Sequence, residues 1–278
     1  TDEGIKALAG VHNLDMYKCP LVTDDGIQAL AGIHTIDISY SNTTDEGVSA
    51  LGGVHEINLC GCSSISDEGL KALKGVHTIH VSDCTDITDE GIVSLVSDGC
   101  VLYEADLSSC DKLTDNSIIK MAGIHSLNII GCSLITDVGI KALSGIHTIE
   151  LSTKHLTDEG LKALAGVNTI DISGCDSVTD LGVKYLAGAV CIYMSKCFRV
   201  TDVGIKALKG VRRLWIDGCN LVTDQSVKQL RGVRAICLKD CSLLTDDAIS
   251  TLAGVSDIGI RGTKITSNAV YALGADML

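Results

Sequence analysis

One stretch of this chain is copied from end to end, and that copying limits the fold more than any other feature. Residues 157–175 read Thr-Asp-Glu-Gly-Leu-Lys-Ala-Leu-Ala-Gly-Val-Asn-Thr-Ile-Asp-Ile-Ser-Gly-Cys. Variants begin at Thr1, Thr23, Thr44, Ser66, Thr88, Thr114, Thr136, Thr157, Thr179, Thr201, Thr223 and Thr245, and a truncated copy begins at Thr266. Successive starts are 21 or 22 residues apart, except for one step of 26 after Thr88. Self-similarity at such a period requires an array of small stacked units, because one unit cannot bury its own apolar side.

Each unit divides into a strand and a helix. Ile170 and Ile172 alternate with Asp171 and Ser173, which is the pattern of a short strand with one buried face. Thr157 is a good N-cap, and Asp158 and Glu159 suit the first turn of a helix. Leu161 and Leu164 face inward together, while Asp158 and Lys162 share the exposed side as an expected ion pair. Gly166 ends the helix. Gly160, inside the helix, is unfavourable there, and its recurrence predicts close packing between neighbouring helices. The expected fold is α/β: a solenoid with parallel strands on a concave face and short helices on the convex face. A single domain covers residues 1–278, with about twelve repeats and a truncated thirteenth.

The pattern L-x-x-L-x-L-x-x-C, followed by x-x-[I/L/V]-T-D-x-G, resembles the leucine-rich-repeat family in its cysteine-containing form. That resemblance covers the whole chain and implies the horseshoe fold. It also implies kinship with the substrate-binding domain of F-box proteins, and so a possible place in ubiquitin ligation, although no F-box segment precedes the repeats. Neither end carries a polar capping repeat, and Leu278 falls in a helix-like segment. Further chain, or a partner covering the ends, is therefore expected.

The composition fits this reading. Apolar residues make up 46% of the chain, enough for a stacked core, and a single proline leaves no visible linker. No apolar run is long enough to span a membrane. Nine of the 13 cysteines occupy one repeat position: Cys19, Cys62, Cys84, Cys110, Cys132, Cys175, Cys197, Cys219 and Cys241. Side chains that point the same way from adjacent strands make poor disulfides, so free buried thiols and a reducing compartment, cytoplasmic or nuclear, are expected. The three complete repeats without this Cys begin at Thr23, Thr136 and Thr245, and each is 21 residues long, which suggests a tighter turn.

Two polar rows follow the repeat. Asp15, Asp37, Asn58, His80, Asp106, Asn128, Glu150 and Asp171 form a mid-strand stripe. It reads either as a solvated strand surface or as a face that repels anions or meets a basic partner. His12, His34, His55, His77, His125 and His147 form a second row, which copied sequence explains better than metal binding. Cys60 and Cys62 point to opposite sides and make no zinc site. The insertion at residues 97–100 is expected to lengthen the helix side.

The last part of the chain breaks the pattern. All six arginines lie after residue 198, and no Glu follows Glu159. Residues 1–198 carry 11 Lys against 27 acids, while residues 199–278 carry 11 cations against 8 Asp. The mid-strand position becomes Tyr193, then Trp215, then Cys237, with Lys196, Arg213, Asp217 and Lys239 beside them. Aromatic and Arg residues are frequent interface anchors. Tyr193, Lys196, Arg213, Trp215, Asp217 and Lys239 are therefore the candidate binding site, and a protein segment that is acidic or phosphorylated is the expected partner. The bland alternative is that Trp215 packs against the stems of Arg213 and Lys239.

No phosphate loop, catalytic triad or shielded carboxylate pair stands out, so neither an enzyme nor a cofactor is expected. A net charge of −13 opposes nucleic acid. The leading expectation is a non-enzymatic protein-interaction domain. Its rivals are a binder of a small anionic ligand of the inositol-phosphate kind and a self-associating structural repeat.

Overall fold

The computed structural model describes residues 1–100, 102–252, 254–274, 276 and 277. Leu278, the end of the expected last segment, lies outside the described residues. The chain divides into two compact units, Thr1–Ile135 and Thr136–Leu278.

In the first unit, strands Asn13–Asp15 (β1), Thr35–Asp37 (β2), Glu56–Asn58 (β3), Thr78–His80 (β4), Glu104–Asp106 (β5) and Ser126–Asn128 (β6) pair in parallel and in chain order. The second unit does the same with Thr148–Glu150 (β7), Thr169–Asp171 (β8), Cys191–Tyr193 (β9), Arg213–Trp215 (β10), Ala235–Cys237 (β11), Asp257–Gly259 (β12) and Asp276–Met277 (β13). Each full repeat contributes one short helix and one strand, as the alternation of apolar residues requires. The centre of each strand points inward: Ile36, Ile57 and Ile79 in one unit and Ile170, Ile192 and Leu214 in the other are buried. Burying one such side chain contributes about 1.5–3 kcal/mol. From the helix side, Leu161, Leu164 and Val167 meet the same core.

The helix over Asp158–Ala163 begins as the sequence suggests, with the Thr157 hydroxyl accepting from the Glu159 N–H. Gly166 follows it in the left-handed region, at φ 91°. Asp158 departs from expectation. Its carboxylate turns away from Lys162 to the next repeat, where the Thr179 N–H donates at 2.8 Å and the Thr179 hydroxyl at 2.6 Å. The reason is energetic: two charge-assisted bonds in a part-buried place outweigh a solvated ion pair worth a few tenths of a kcal/mol. The same contact recurs from Ser66 to Asp45, Thr88 to Asp67, Thr201 to Asp180 and Thr245 to Asp224.

This carboxylate also explains the helical glycine. A Cβ at Gly69 would stand 2.5 Å from Asp45 Oδ1, so only a hydrogen leaves the carboxylate its place. Where the glycine becomes Ser226, the hydroxyl donates to Asp202 Oδ1 at 2.6 Å. The clash becomes a bond.

Apart from the half-buried Cys19, the repeated thiols are buried and structural. Cys84 donates to the Leu59 carbonyl at 3.2 Å, Cys110 to Val81 at 3.2 Å, Cys219 to Met194 at 3.3 Å and Cys241 to Ile216 at 3.1 Å. Each sulfur thus satisfies a carbonyl of the preceding repeat. Burial, helped by neighbouring thiols, pushes Cys84 up to about 12, and burial pushes Cys175 up to about 11, so both remain protonated donors. In the 21-residue repeats a hydroxyl stands where the thiol would be: Ser41, Thr153 and Thr263. Each accepts from a backbone N–H two residues on, at Thr43 (3.3 Å), His155 (3.2 Å) and Ile265 (3.2 Å). That local bond closes the tighter turn. The inserted residues sit as expected, with the helix lengthened to Asp89–Leu95 and a 3-10 turn over Ser97–Gly99.

Candidate functional site

The strand positions that differ from the repeat come together in the second unit. Trp215 pairs with Tyr193 on one side and Cys237 on the other. The Tyr193 and Trp215 rings stack, with centroids 4.6 Å apart and planes inclined by 26°. Equal position on adjacent strands, about 4.8 Å apart, imposes this contact. Both residues are half-buried. The ring contact of Trp215 is with Tyr193.

Arg213 opens β10 between Cys191 and Ala235, two residues before Trp215 and on the same face. Its side chain is exposed, and its positive charge opposes the rise of the Tyr193 hydroxyl, which contact with Cys191 and burial push upward. Asp217 is half-buried and accepts from the Lys239 N–H at 3.1 Å. Its carboxylate is therefore tied to the turn of the next repeat. Lys239 leans toward Gly259, whose missing side chain leaves room for the lysine stem and the Cys237 sulfur. Lys196 is placed differently from the sequence reading. It occupies the turn beyond β9 with φ 59°, in the column that Gly174 and Gly218 fill in neighbouring repeats. Lys196 thus flanks the aromatic pair from the turn, not from the strand surface. The structure groups Tyr193, Arg213 and Trp215 on one face, with Asp217 and Lys239 next along it and Lys196 at its margin.

The polar stripe has a structural role. Asp37 accepts from the Ser39 N–H and hydroxyl, Asp106 from those of Ser108, and Asn58 and Asn128 from the N–H two residues on. These four side chains each cap the turn that follows their own strand. Asn58 also donates to Asp37 across the strands at 2.8 Å. In the first unit Asp15, Asp37, Asn58 and His80 line a groove of about 430 Å³. Tyr193 and Trp215 cannot perform this capping, so their presence needs another reason.

The histidine row forms a stack. Rings of His12, His34, His55 and His77 follow one another at 4.5–4.6 Å, and Tyr103 and His125 continue the row at 4.8 and 4.5 Å. Desolvation and the two flanking imidazoles hold His34 below the usual histidine range. Among the described residues no group of three or more His, Cys, Asp or Glu is arranged to hold a metal. The sequence also gave no notice that Tyr17 and Tyr40 meet edge to face at 5.8 Å, with the Lys18 ammonium over both.

Parallel strand stacking, a helix per repeat and the buried Cys ladder decide the architecture, and a family model described as a leucine-rich repeat matches residues 76–96 and 167–187. The fold is that of a leucine-rich-repeat solenoid. No curated protein matches the sequence. Among solved structures it is similar to an internalin, InlF of Listeria monocytogenes, at 15% identity and TM-score 0.70, covering 100% of this chain and 88% of that one. It is also similar to a chain of the yeast Rad7–Elc1 complex (15% identity, TM-score 0.60, 100% and 87% covered). A third similarity is to the Drosophila Toll–Spätzle complex (12% identity, TM-score 0.63, 99% and 44% covered). At these identities the likeness of the leucine-rich repeats to those proteins is one of fold.

Proposed function

We propose that this leucine-rich-repeat protein is a non-enzymatic protein-interaction module whose partner docks on the strand face of β9–β11. The Tyr193–Trp215 stack carries the reading. It replaces turn-capping Asp or Asn with large aromatics on two adjacent strands, and the replacement is not needed for stacking the repeats. Aromatic rings with a neighbouring Arg are the usual anchors of an interface. Arg213, with Lys196 and Lys239 nearby, favours an acidic or phosphorylated partner segment. Similar folds in the Rad7–Elc1 and Toll–Spätzle complexes support protein binding as the class of activity. A role in substrate recognition for ubiquitin ligation rests on the cysteine-containing repeat text. A reducing compartment is supported by thirteen free thiols. No helix among the described residues is long and apolar enough to cross a membrane.

The test is capture from extracts of the source cell with the wild type, Trp215→Ala and the triple variant K196A/R213A/K239A, alongside melting curves. Loss of the same partner in both variants, with unchanged melting, supports the reading. Equal capture by all three places the site elsewhere, and the acidic groove of the first unit becomes the candidate. A captured partner that gains ubiquitin when the chain is expressed would support the finer role.

A further inference from the structure

Repeats ten and eleven, residues 201–244, carry eight Lys and Arg against four Asp in a chain of net charge −13. Arg213 and Lys239 belong to the strand face. Five of the others, Lys209, Arg212, Lys228, Arg231 and Arg234, gather at a different place, the entry edge of β10 and β11. Arg212 and Arg234 precede the two strands, and the N–H groups of Arg234 and Ala235 both donate to the Arg212 carbonyl, at 2.8 and 3.2 Å. The two arginines therefore stand side by side at one strand spacing, about 4.8 Å. Arg231 lies in the turn leading to Arg234. These three line a groove of about 660 Å³ whose other walls are Gly210, Gly232, Val233, Gly254 and Ser256. Lys209, Lys228, Gln229 and Arg231 line an adjoining hollow.

Among the described residues no acid lines either depression, and four nearby carboxylates accept hydrogen bonds. Asp202 accepts from Thr223 and Ser226, Asp224 from Thr245, and Asp217 from the Lys239 N–H. Asp257, beside the groove, accepts from the Ser256 hydroxyl at 2.8 Å. Arg212, Arg231 and Arg234 are exposed. The fold does not require cations here, because the same column holds the stacked rings of His12, His34 and His55 in the first unit. Side-by-side guanidinium groups repel one another and add nothing to the stacking of repeats. They suit an anion that brings several charges at similar spacing, and the guanidinium fork matches phosphate oxygens bidentately.

We propose that the groove of Arg212, Arg231 and Arg234 is a binding site for a small oligophosphate. Its charged groups would bridge the pairs Arg212/Arg234 and Lys209/Arg231. The groove volume falls in the range of small-molecule sites. This site is separate from the Tyr193–Trp215 face and does not depend on it.

Calorimetric titration with inorganic tripolyphosphate tests the assignment. The site variant is R212Q/R231Q/R234Q, and the control R199Q/R261Q/K264Q removes the same charge from exposed positions elsewhere. Vesicles of phosphatidylcholine with and without phosphatidylinositol bisphosphate show whether a lipid headgroup is the source. The wild type and control should bind alike, and the site variant should bind at least roughly tenfold more weakly. The single variant R231Q, weakened in the same direction, gives the reading should the triple melt early. Trp215→Ala should bind as wild type. Absence of wild-type binding to both tripolyphosphate and phosphoinositide vesicles overturns the site. Equal weakening in site variant and control, or loss in Trp215→Ala, overturns it as well.

Discussion

Gly69→Ala offers the sharpest check on how neighbouring repeats hold together. Alanine in a helix is ordinarily better than glycine by about 1 kcal/mol. Here the added Cβ would stand 2.5 Å from Asp45 Oδ1 and 3.3 Å from its Cγ, and the close atoms all belong to that one residue. Asp45 accepts from the Ser66 N–H at 2.8 Å and from its hydroxyl at 2.6 Å. Displacing the carboxylate forfeits two charge-assisted bonds, each worth roughly 1.5 kcal/mol net at the low end. Set against the propensity gain, Gly69→Ala should destabilise by about 1–2 kcal/mol. Asp45→Ala alone should cost about 2–3 kcal/mol. In the Asp45→Ala background the clash is gone, and Gly69→Ala should now stabilise by about 0.5–1 kcal/mol. Urea unfolding followed by circular dichroism, with unchanged m-values, reads all four corners of the cycle. The sign reversal is the signature. Additive effects, or a glycine substitution that stabilises in both backgrounds, would refute the account of the Gly and Asp positions.

Three further outcomes follow from the buried thiols and the histidine stack. Titration of unfolded, unreduced protein should recover nearly all of the 13 cysteines as free thiols; recovery of only a few would contradict the reducing-compartment reading. Alkaline stability should fall as pH rises from the ordinary thiol value of 9.0 toward about 12, because Cys84, Cys132 and Cys219 stay protonated when folded but ionise when unfolded. Each thiol contributes a slope of about 1.4 kcal/mol per pH unit, so Cys84→Ala should flatten the profile measured under reductant, and an unchanged slope would count against burial as the cause. The depressed His34 is neutral when folded, so its contribution is present above the ordinary value of 6.5 and is lost as pH falls below it. Melting temperatures at neutral and mildly acid pH should therefore converge in His34→Gln, and identical acid sensitivity in the variant would remove the stack from the explanation.

The repeat made the architecture legible. Strand and helix phases followed from Ile170, Ile172, Leu161 and Leu164, and close packing at Gly160 was expected before its cause was visible. What stayed hidden depends on register between repeats. Asp158 has a nearby Lys162 in sequence, yet its partner Thr179 lies 21 residues on, and only stacking brings the two together. The mid-strand acids looked like surface because their partner is their own backbone at the following turn. Ser41, Thr153 and Thr263 were present in sequence where the thiol is lost, but their turn-closing bond becomes clear only with the backbone. The adjacency of Tyr193 and Trp215 could be read from equal repeat positions, whereas ring stacking and the turn placement of Lys196 could not. Glycine at the equivalent Gly174 and Gly218 was the available signal for the latter. Arg212, Arg231 and Arg234 were noted as late arginines without being gathered into one groove.

Photo-crosslinking from single positions on the strand face tests the central claim most directly. A benzophenone side chain would replace Ser195 beside the aromatic pair or, in a separate protein, Thr35 beside the acidic groove. The protein would be irradiated in extracts of the source cell. The account predicts a discrete crosslinked partner from position 195 that is lost in the Trp215→Ala background and weakened by salt. A partner crosslinked from position 35 alone, or one captured at 195 regardless of Trp215, would contradict it.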